Sequence, residues 1–252
     1  VVLVKPDDVF SDFHKIKGEI TVNNIDKSKI RDASTVIVLR DRETRPSILM
    51  GQRGSNAAFM PNKFVFPGGA VDVGDRDVPL GSALIAPNDS RLQDQSRPGI
   101  GRSLAAAAIR ELFEETGLVL GCRGSWSNAP IDWQDFAATG HLPHASPLQF
   151  VFRALTPPGR PRRFDARFFL VDANDLASDL DDFKHASDEL SHLQWIYLDK
   201  VRSFDMPFIT EVVLSEIGAR VMDKKAPSSV PYFKNDDEES VFMRLYGKLI
   251  NT

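Results

Sequence analysis

The chain has 252 residues, 42% of them hydrophobic and 26% charged, with a net charge of −4 and a pI near 5.8. That is enough apolar material for a proper core, in one elaborated domain or two small ones. The acidic balance argues against a dedicated nucleic-acid binder, and a polyanionic ligand would have to be met by a local cluster of Arg, Lys or metal.

Residues 1 to about 30 are polar and without a strong period, and are read as an N-terminal extension or a first hairpin. The opening Val1-Val2-Leu3-Val4-Lys5-Pro6 is too short and too soon charged for a signal peptide, and no run approaches the roughly 18 apolar residues of a membrane span. Thr35 to Arg40 and Ser47 to Arg53 are β-branched or apolar runs around a polar turn, which predicts a hairpin. Lys63 to Phe66 is a third short strand, stopped by Pro67-Gly68-Gly69. Asp72 to about Gly101 is rich in Asp, Pro, Ser and Gly and reads as a long irregular loop. Ser103 to Gly117 then gives the clearest helix, with Ser103 as N-cap, four alanines and Gly117 as terminator.

Cys122, the one cysteine, is read in a Gly-rich turn, Gly121-Cys122-Arg123-Gly124, and excludes an internal disulfide, which fits a reducing compartment. Asp132 to Thr139 is a candidate short helix. Leu148 to Thr156 and Phe164 to Val171 are strand-like and flank a basic, proline-rich loop, and Leu193 to Leu198 is another strand. Phe208 to Met222 has a helical period through Val212, Val213, Ile217 and Val221. From Asp223 the tail is charged, broken by prolines and read as irregular. Strands mixed with a few helices, without regular alternation, predict an α+β fold, a mixed-sheet sandwich over 31–222 with 223–252 as tail. Seventeen Phe, against three Trp and three Tyr, are expected in its core.

The informative constellation is Gly68-Gly69 followed by Arg110-Glu111-Leu112-Phe113-Glu114-Glu115-Thr116-Gly117-Leu118. On a helix, positions 111, 114 and 115 share one face, where like charges repel. A hard divalent cation between them is one explanation, since magnesium takes oxygen ligands and also contacts substrate phosphates. A solvated acidic helix face is the plain alternative.

The segment resembles the Nudix box, G-x5-E-x7-R-E-U-x-E-E-x-G-U with U a bulky aliphatic residue. Gly69 takes the first glycine, and Arg110, Glu111, Leu112, Glu114, Glu115, Gly117 and Leu118 match the second half position by position. The resemblance implies a Nudix α/β/α sandwich with a mixed β-sheet. It implies Glu111, Glu114 and Glu115 as ligands of Mg2+ or Mn2+, the Gly69 carbonyl as a further ligand, and Arg110 as an orienting partner. Two departures stand out. The first-half glutamate falls on Asp75, a shorter acid whose work Asp72 could share. The seven-residue spacer becomes the 34 residues Arg76 to Ile109, so 76–102 is an insertion within the box, expected to build a lid or wall beside the metals.

Arg53-Gly54-Ser55, Ala58-Phe59-Met60-Pro61 and Val65-Phe66-Pro67-Gly68-Gly69-Ala70-Val71-Asp72 resemble the Nudix branch that hydrolyses coenzyme A and acyl-coenzyme A. Thr156-Pro157, Arg163-Phe164-Asp165, Phe168-Phe169 and Glu189 to Trp195 extend the similarity over roughly 33–220. The implied reaction is metal-dependent cleavage of the diphosphate, releasing 3′,5′-ADP and a phosphopantetheine species. The candidate general base is Glu111 or Glu189, and Glu189 reads equally well as a surface residue. Arg53 is a candidate phosphate contact or a plain salt bridge. Phe59 and Met60 are candidates for an acyl or adenine pocket or for the core. Arg160, Arg162 and Arg163 are a candidate 3′-phosphate site or a solvated charge run. The five histidines lack metal-binding spacing. The alternatives are a diphosphatase for ADP-ribose, NADH or another nucleotide, and a nucleotide-sensing module without turnover. The expected partner is a small nucleotide diphosphate, with no nucleic acid and no membrane, in a cytoplasmic protein for which the resemblance suggests a homodimer.

Overall fold

The computed structural model describes residues 29–57, 59–236 and 240–247. The N-terminal extension or hairpin expected over 1–30 therefore lies almost wholly outside the described residues. Among those described, nine strands form one mixed sheet. They are β1 (Ile30–Arg40), β2 (Ser47–Arg53), β3 (Phe64–Val65), β4 (Gly68–Ala70), β7 (Gln149–Leu155), β8 (Arg163–Asp172), β9 (Leu190–Tyr197), β10 (Val230–Asn235) and β11 (Ser240–Leu245). The order is β11-β10-β7-β8-β1-β2-β3, with β4 on β1 and β9 on β2. β5 (Gly121–Arg123) and β6 (His141–Pro143) pair separately. The α+β sandwich is thus present: α2 (Ile100–Thr116) covers one face, with α1 (Ala86–Gln93) and α3 (Gln134–Ala138), and α4 (Phe208–Gly218) covers the other.

Period-two alternation explains how one strand serves both faces. In β1, Val36 and Val38 join the α2-side core while Ile37 and Leu39 join the α4-side core, all fully buried. β8 divides in the same way, with Phe169 and Val171 on the first side and Phe168 and Leu170 on the second. In β7 the alternation slips. Phe150 faces α2, but Val151 and Phe152 both join the α4-side core, where a register shift against β8 inserts an extra residue. Phe66, Phe136, Phe150, Phe152, Phe168 and Phe169 are buried in these cores, as expected of phenylalanine, whereas Phe208 and Phe242 are exposed.

Four local readings need correction. The stretch 72–101 is not an irregular loop, because it carries a short 3-10 turn at Val73–Asp77 and all of α1. Ser103 is not the N-cap of the long helix. That helix starts one turn earlier, behind Gly99 in a left-handed conformation (φ 75°), and buries Ser103. Cys122 lies in strand β5, not in a turn. The tail is not irregular throughout, since β10 runs parallel to β7 and β11 returns antiparallel to β10. Val230, Tyr232 and Leu245 are buried there. Pro231 is tolerated because the pairing of β10 with β7 begins only at Tyr232.

The segment 76–102 begins directly after Asp75, which Arg110 holds. Ser82 bridges to His144, Asn88 donates to the Leu148 carbonyl, and Leu92 is buried in the α2-side core. Arg153 then donates to the carbonyls of Asp94 and Gln95, and Arg167 donates to Ser96 Oγ. The segment packs as a helical layer over β7 and the start of α2. No helix among the described residues is long and apolar enough to cross a membrane.

If the insertion is core and not appendage, Leu92→Ala should destabilise the whole domain. The expected loss is about 2–5 kcal/mol in urea unfolding, with one cooperative transition retained. A loss within about 0.5 kcal/mol would make the insertion peripheral.

Candidate active site

Two tight approaches create the site. The first is α2 against β1. Ala105 to Ala108 are fully buried and small enough to let the helix settle on the sheet, and Ser34 Oγ donates to the Leu104 carbonyl (2.7 Å). The second is the Pro67–Ala70 segment against both. A Cβ at Gly68 would collide with the backbone of Ser34 and Thr35, and one at Gly69 would collide with the Glu111 carboxyl group. Glycine is required at both positions by close packing. The helix ends where Gly117, at φ 76°, donates its N–H to the Phe113 carbonyl.

Arg110 is the centre of the cluster. It is 6% exposed, and its Nη1 donates to Glu111 Oε1 (2.8 Å) and Glu114 Oε2 (3.0 Å). Its Nε and Nη2 donate to the two oxygens of Asp75 (3.1 and 3.2 Å), and Nη2 also donates to the Ala70 carbonyl (3.0 Å). Asp75, 2% exposed, further accepts the Asp72 backbone N–H. Asp72 itself is exposed and reaches Arg110 only at 3.6 Å, so the buried partner is Asp75 and the shorter acid suffices. Glu115 turns the other way and accepts the Gly68 N–H at 2.7 Å.

Burial opposes the charge on all these groups, and the outcomes differ. For Arg110 the surrounding carboxylates outweigh desolvation and its pKa is raised. Desolvation pushes Glu111 up to about 7 against the pull of Arg110, and pushes Glu115 up to about 8 against the Gly68 hydrogen bond. Glu114 is raised too, again by burial first. Glu189 is exposed in the loop before β9 and adds negative potential at each of the three glutamates.

The donor set suits a hard divalent ion in its chemistry: carboxylate oxygens on one helix face, Glu115 buried and Glu111 and Glu114 partly so. Among the described residues, however, no three acidic, His or Cys side chains already stand in a metal-holding arrangement. Arg110 draws Glu111 and Glu114 towards itself while Glu115 points to Gly68.

The remaining candidates scatter. Arg53, at the end of β2, is close enough to favour the charged form of Glu115, and its Nε is buried without a partner. Phe59 packs edge-on against Phe164 (5.4 Å between centroids), and Met60 beside it has φ 50°. Neither is in described contact with the glutamates. Arg163 is not in a solvated run and is not open to a phosphate. It is buried and donates to the carbonyls of Thr156 and Asn235, whereas Arg160 and Arg162 are exposed. Sequence reasoning missed the Gly68 N–H and Ala70 carbonyl, since backbone groups leave no mark in residue identity.

No family model matches the chain. A Caenorhabditis elegans protein described as a nudix hydrolase is 32% identical over an aligned stretch of 182 residues, covering 67% of this chain and 52% of that protein. The chain thus spans about half the length of that curated relative. The crystal structure of a NUDIX hydrolase from Alicyclobacillus acidocaldarius superposes with a TM-score of 0.58 at 26% identity, covering 79% of this chain and 94% of that one.

The raised pKa of Glu115 sets a pH dependence. Its ordinary value is 4.5 and its folded value about 8, so its contribution is fully present below about pH 4.5 and is lost as pH rises through 8. With a chelator present, the thermal midpoint should fall between pH 6 and pH 8.5. It should fall less in Glu115→Gln, and equal slopes in the two proteins would show that the carboxyl is not held in its neutral form.

Proposed function

We propose that this chain, which has the Nudix fold and belongs to the Nudix superfamily, hydrolyses a diphosphate bond in a nucleoside diphosphate derivative, with coenzyme A or acyl-coenzyme A as substrate. The observation that carries the reaction class is the face of three glutamates packed against the Gly68-Gly69 turn and tied down by buried Arg110. The coenzyme A assignment rests on the resemblance of Arg53-Gly54-Ser55 and the segment Val65 to Asp72 to that branch, and on the interrupted box.

Glu111, Glu114 and Glu115 would hold Mg2+ or Mn2+, both of which accept oxygen ligands; the ion would neutralise the diphosphate and acidify a water. The residues themselves supply position and proton handling. Arg110 fixes the rotamers of Glu111 and Glu114, and the Gly68 N–H fixes Glu115. Arg53, with its unpartnered Nε beside Glu115, is the side chain we assign to a substrate phosphate. Proton acceptance falls to Glu111 or Glu189, and single Gln substitutions separate them. The Glu189 substitution decides, because Glu111 is also a proposed metal ligand: a loss of about 10²–10⁴-fold in kcat makes Glu189 the base, and a small loss leaves the role to Glu111.

The test is product analysis with Mg2+ or Mn2+ on coenzyme A, acetyl-coenzyme A, ADP-ribose and NADH, with Glu115→Gln alongside. Metal-dependent release of 3′,5′-ADP, lost in the variant, is the expected result. Turnover of ADP-ribose or NADH alone would keep the reaction and overturn the substrate. Metal binding without turnover of any of the four would point to a nucleotide-sensing module.

A further inference from the structure

Strand β9 breaks the regular pairing close to the glutamates. Met50 pairs with Gln194 and Gln52 with Ser191, so Gly51 stands opposite two residues, His192 and Leu193. His192 takes the left-handed conformation (φ 52°), which a residue with a Cβ rarely adopts. Such an outlier persists only where its surroundings hold it. Here Ser191 Oγ donates to the Gln52 carbonyl (3.1 Å), and Gln194 Nε2 donates to the His192 carbonyl (3.3 Å). Gly51 makes the room: a Cβ there would stand 2.8 Å from Leu190 Cβ and 3.0 Å from Leu193 Cδ2.

The extra residue decides which way the end of β9 faces. Leu49 and Trp195 pair and both pack in the α2-side core, so by alternation Gly51 and Arg53 face α2 as well. With the bulge, Leu190 pairs with Arg53 and is buried. Regular pairing would put Ser191 opposite Arg53 and turn Leu190 to the other face. Glu189 comes directly before Leu190. On its other side, Ser187 donates its N–H to the Glu114 carbonyl (2.8 Å), and His185 lies close against Gly117 at the end of α2. Glu189 is thus held between Arg53 and the helix that bears the glutamates, and its charge is felt at all three of them.

We infer that the bulge of His192 and Leu193 over Gly51 is the device that brings Glu189 to the glutamate face for proton transfer. Gly51 and His192 are positioning residues, since neither needs to touch the substrate. Bulges beside active sites re-aim side chains in this way. The proton transfer rests on the diphosphatase reading; the placement of Glu189 does not.

The test puts a nitroxide at position 189, through Glu189→Cys in a Cys122→Ala background, and reads the broadening of backbone amide signals by NMR without metal or substrate. The amides of Glu111, Glu114 and Glu115 should be broadened. Gly51→Ala drives a methyl into Leu190, and His192→Val puts a branched side chain at positive φ. Both should remove most of the broadening, whereas His192→Gly adopts this conformation freely and should keep it. Amides of β10, far from the bulge, report that each variant is folded. In the unlabelled chain the first two variants should lower kcat about 10²-fold, as a misplacement of about 1 Å does, with KM little changed. His192→Gly should retain kcat. Undiminished broadening in both Gly51→Ala and His192→Val, or broadening lost with kcat unchanged, would overturn the inference. If the unaltered chain turns over no diphosphate, the hydrolase reading fails instead, and the broadening alone decides the placement.

Discussion

The guanidinium of Arg110 is the interaction on which the rest of this molecule depends. It joins the helix bearing the glutamates to the glycine turn through the Ala70 carbonyl, and to the Val73–Asp77 turn through Asp75. Residues 75 and 110 are brought together across 35 positions of chain, and both are buried. Removing a buried partner of this kind costs about 3–5 kcal/mol, because the opposite charge is left without compensation. The same side chain sets the directions of Glu111 and Glu114, so domain stability and the geometry of the site rest on one residue.

A second ionic layer supports the insertion. The residues Gly69, Ser34, Arg167, Arg153 and Tyr232 are successive neighbours across β4, β1, β8, β7 and β10, and so line one face of the sheet. That face meets α2, as the bond from Ser34 to Leu104 shows. Beneath the middle of the helix the row is small, at Gly69 and Ser34, and further out it becomes cationic. Arg167 pairs with Asp32 (2.6 Å) and Arg153 with Asp165 (2.7 Å), and both arginines also hold the 94–96 backbone or Ser96. The segment 76–102 therefore closes over a polar platform on the same face of the sheet as the glutamate-bearing helix.

The site itself is held in electrostatic imbalance. Asp75, Glu111 and Glu114 put three carboxyl groups around one buried guanidinium, Glu115 stands on the same helix face without it, and Glu189 adds to the negative field. Desolvation then raises Glu111 and Glu115 towards neutral pH. A region of this kind attracts cations and is stabilised by them, which is the physical basis for reading it as a place of chemistry and not as a solvated helix face.

The sequence alone carried whatever depends on neighbours in the chain. The helix through Glu111, Glu114 and Glu115, its end at Gly117, the β1–β2 hairpin and the α4 stripe follow from periodicity and from residues with special backbone freedom. So does the Nudix resemblance, which is a pattern of spacing. The partner of Arg110, the course of α1, and the β10–β11 hairpin in a charged tail were decided only by the fold. So were the burial of Arg163 and the donation from Gly68 to Glu115. Each of these joins groups far apart in sequence or uses a backbone atom, and neither leaves a local periodicity to read. Asp75 shows the boundary clearly: its position in the box was legible, but whether an acid one methylene short could reach its arginine depended on how closely the turn packs on the helix.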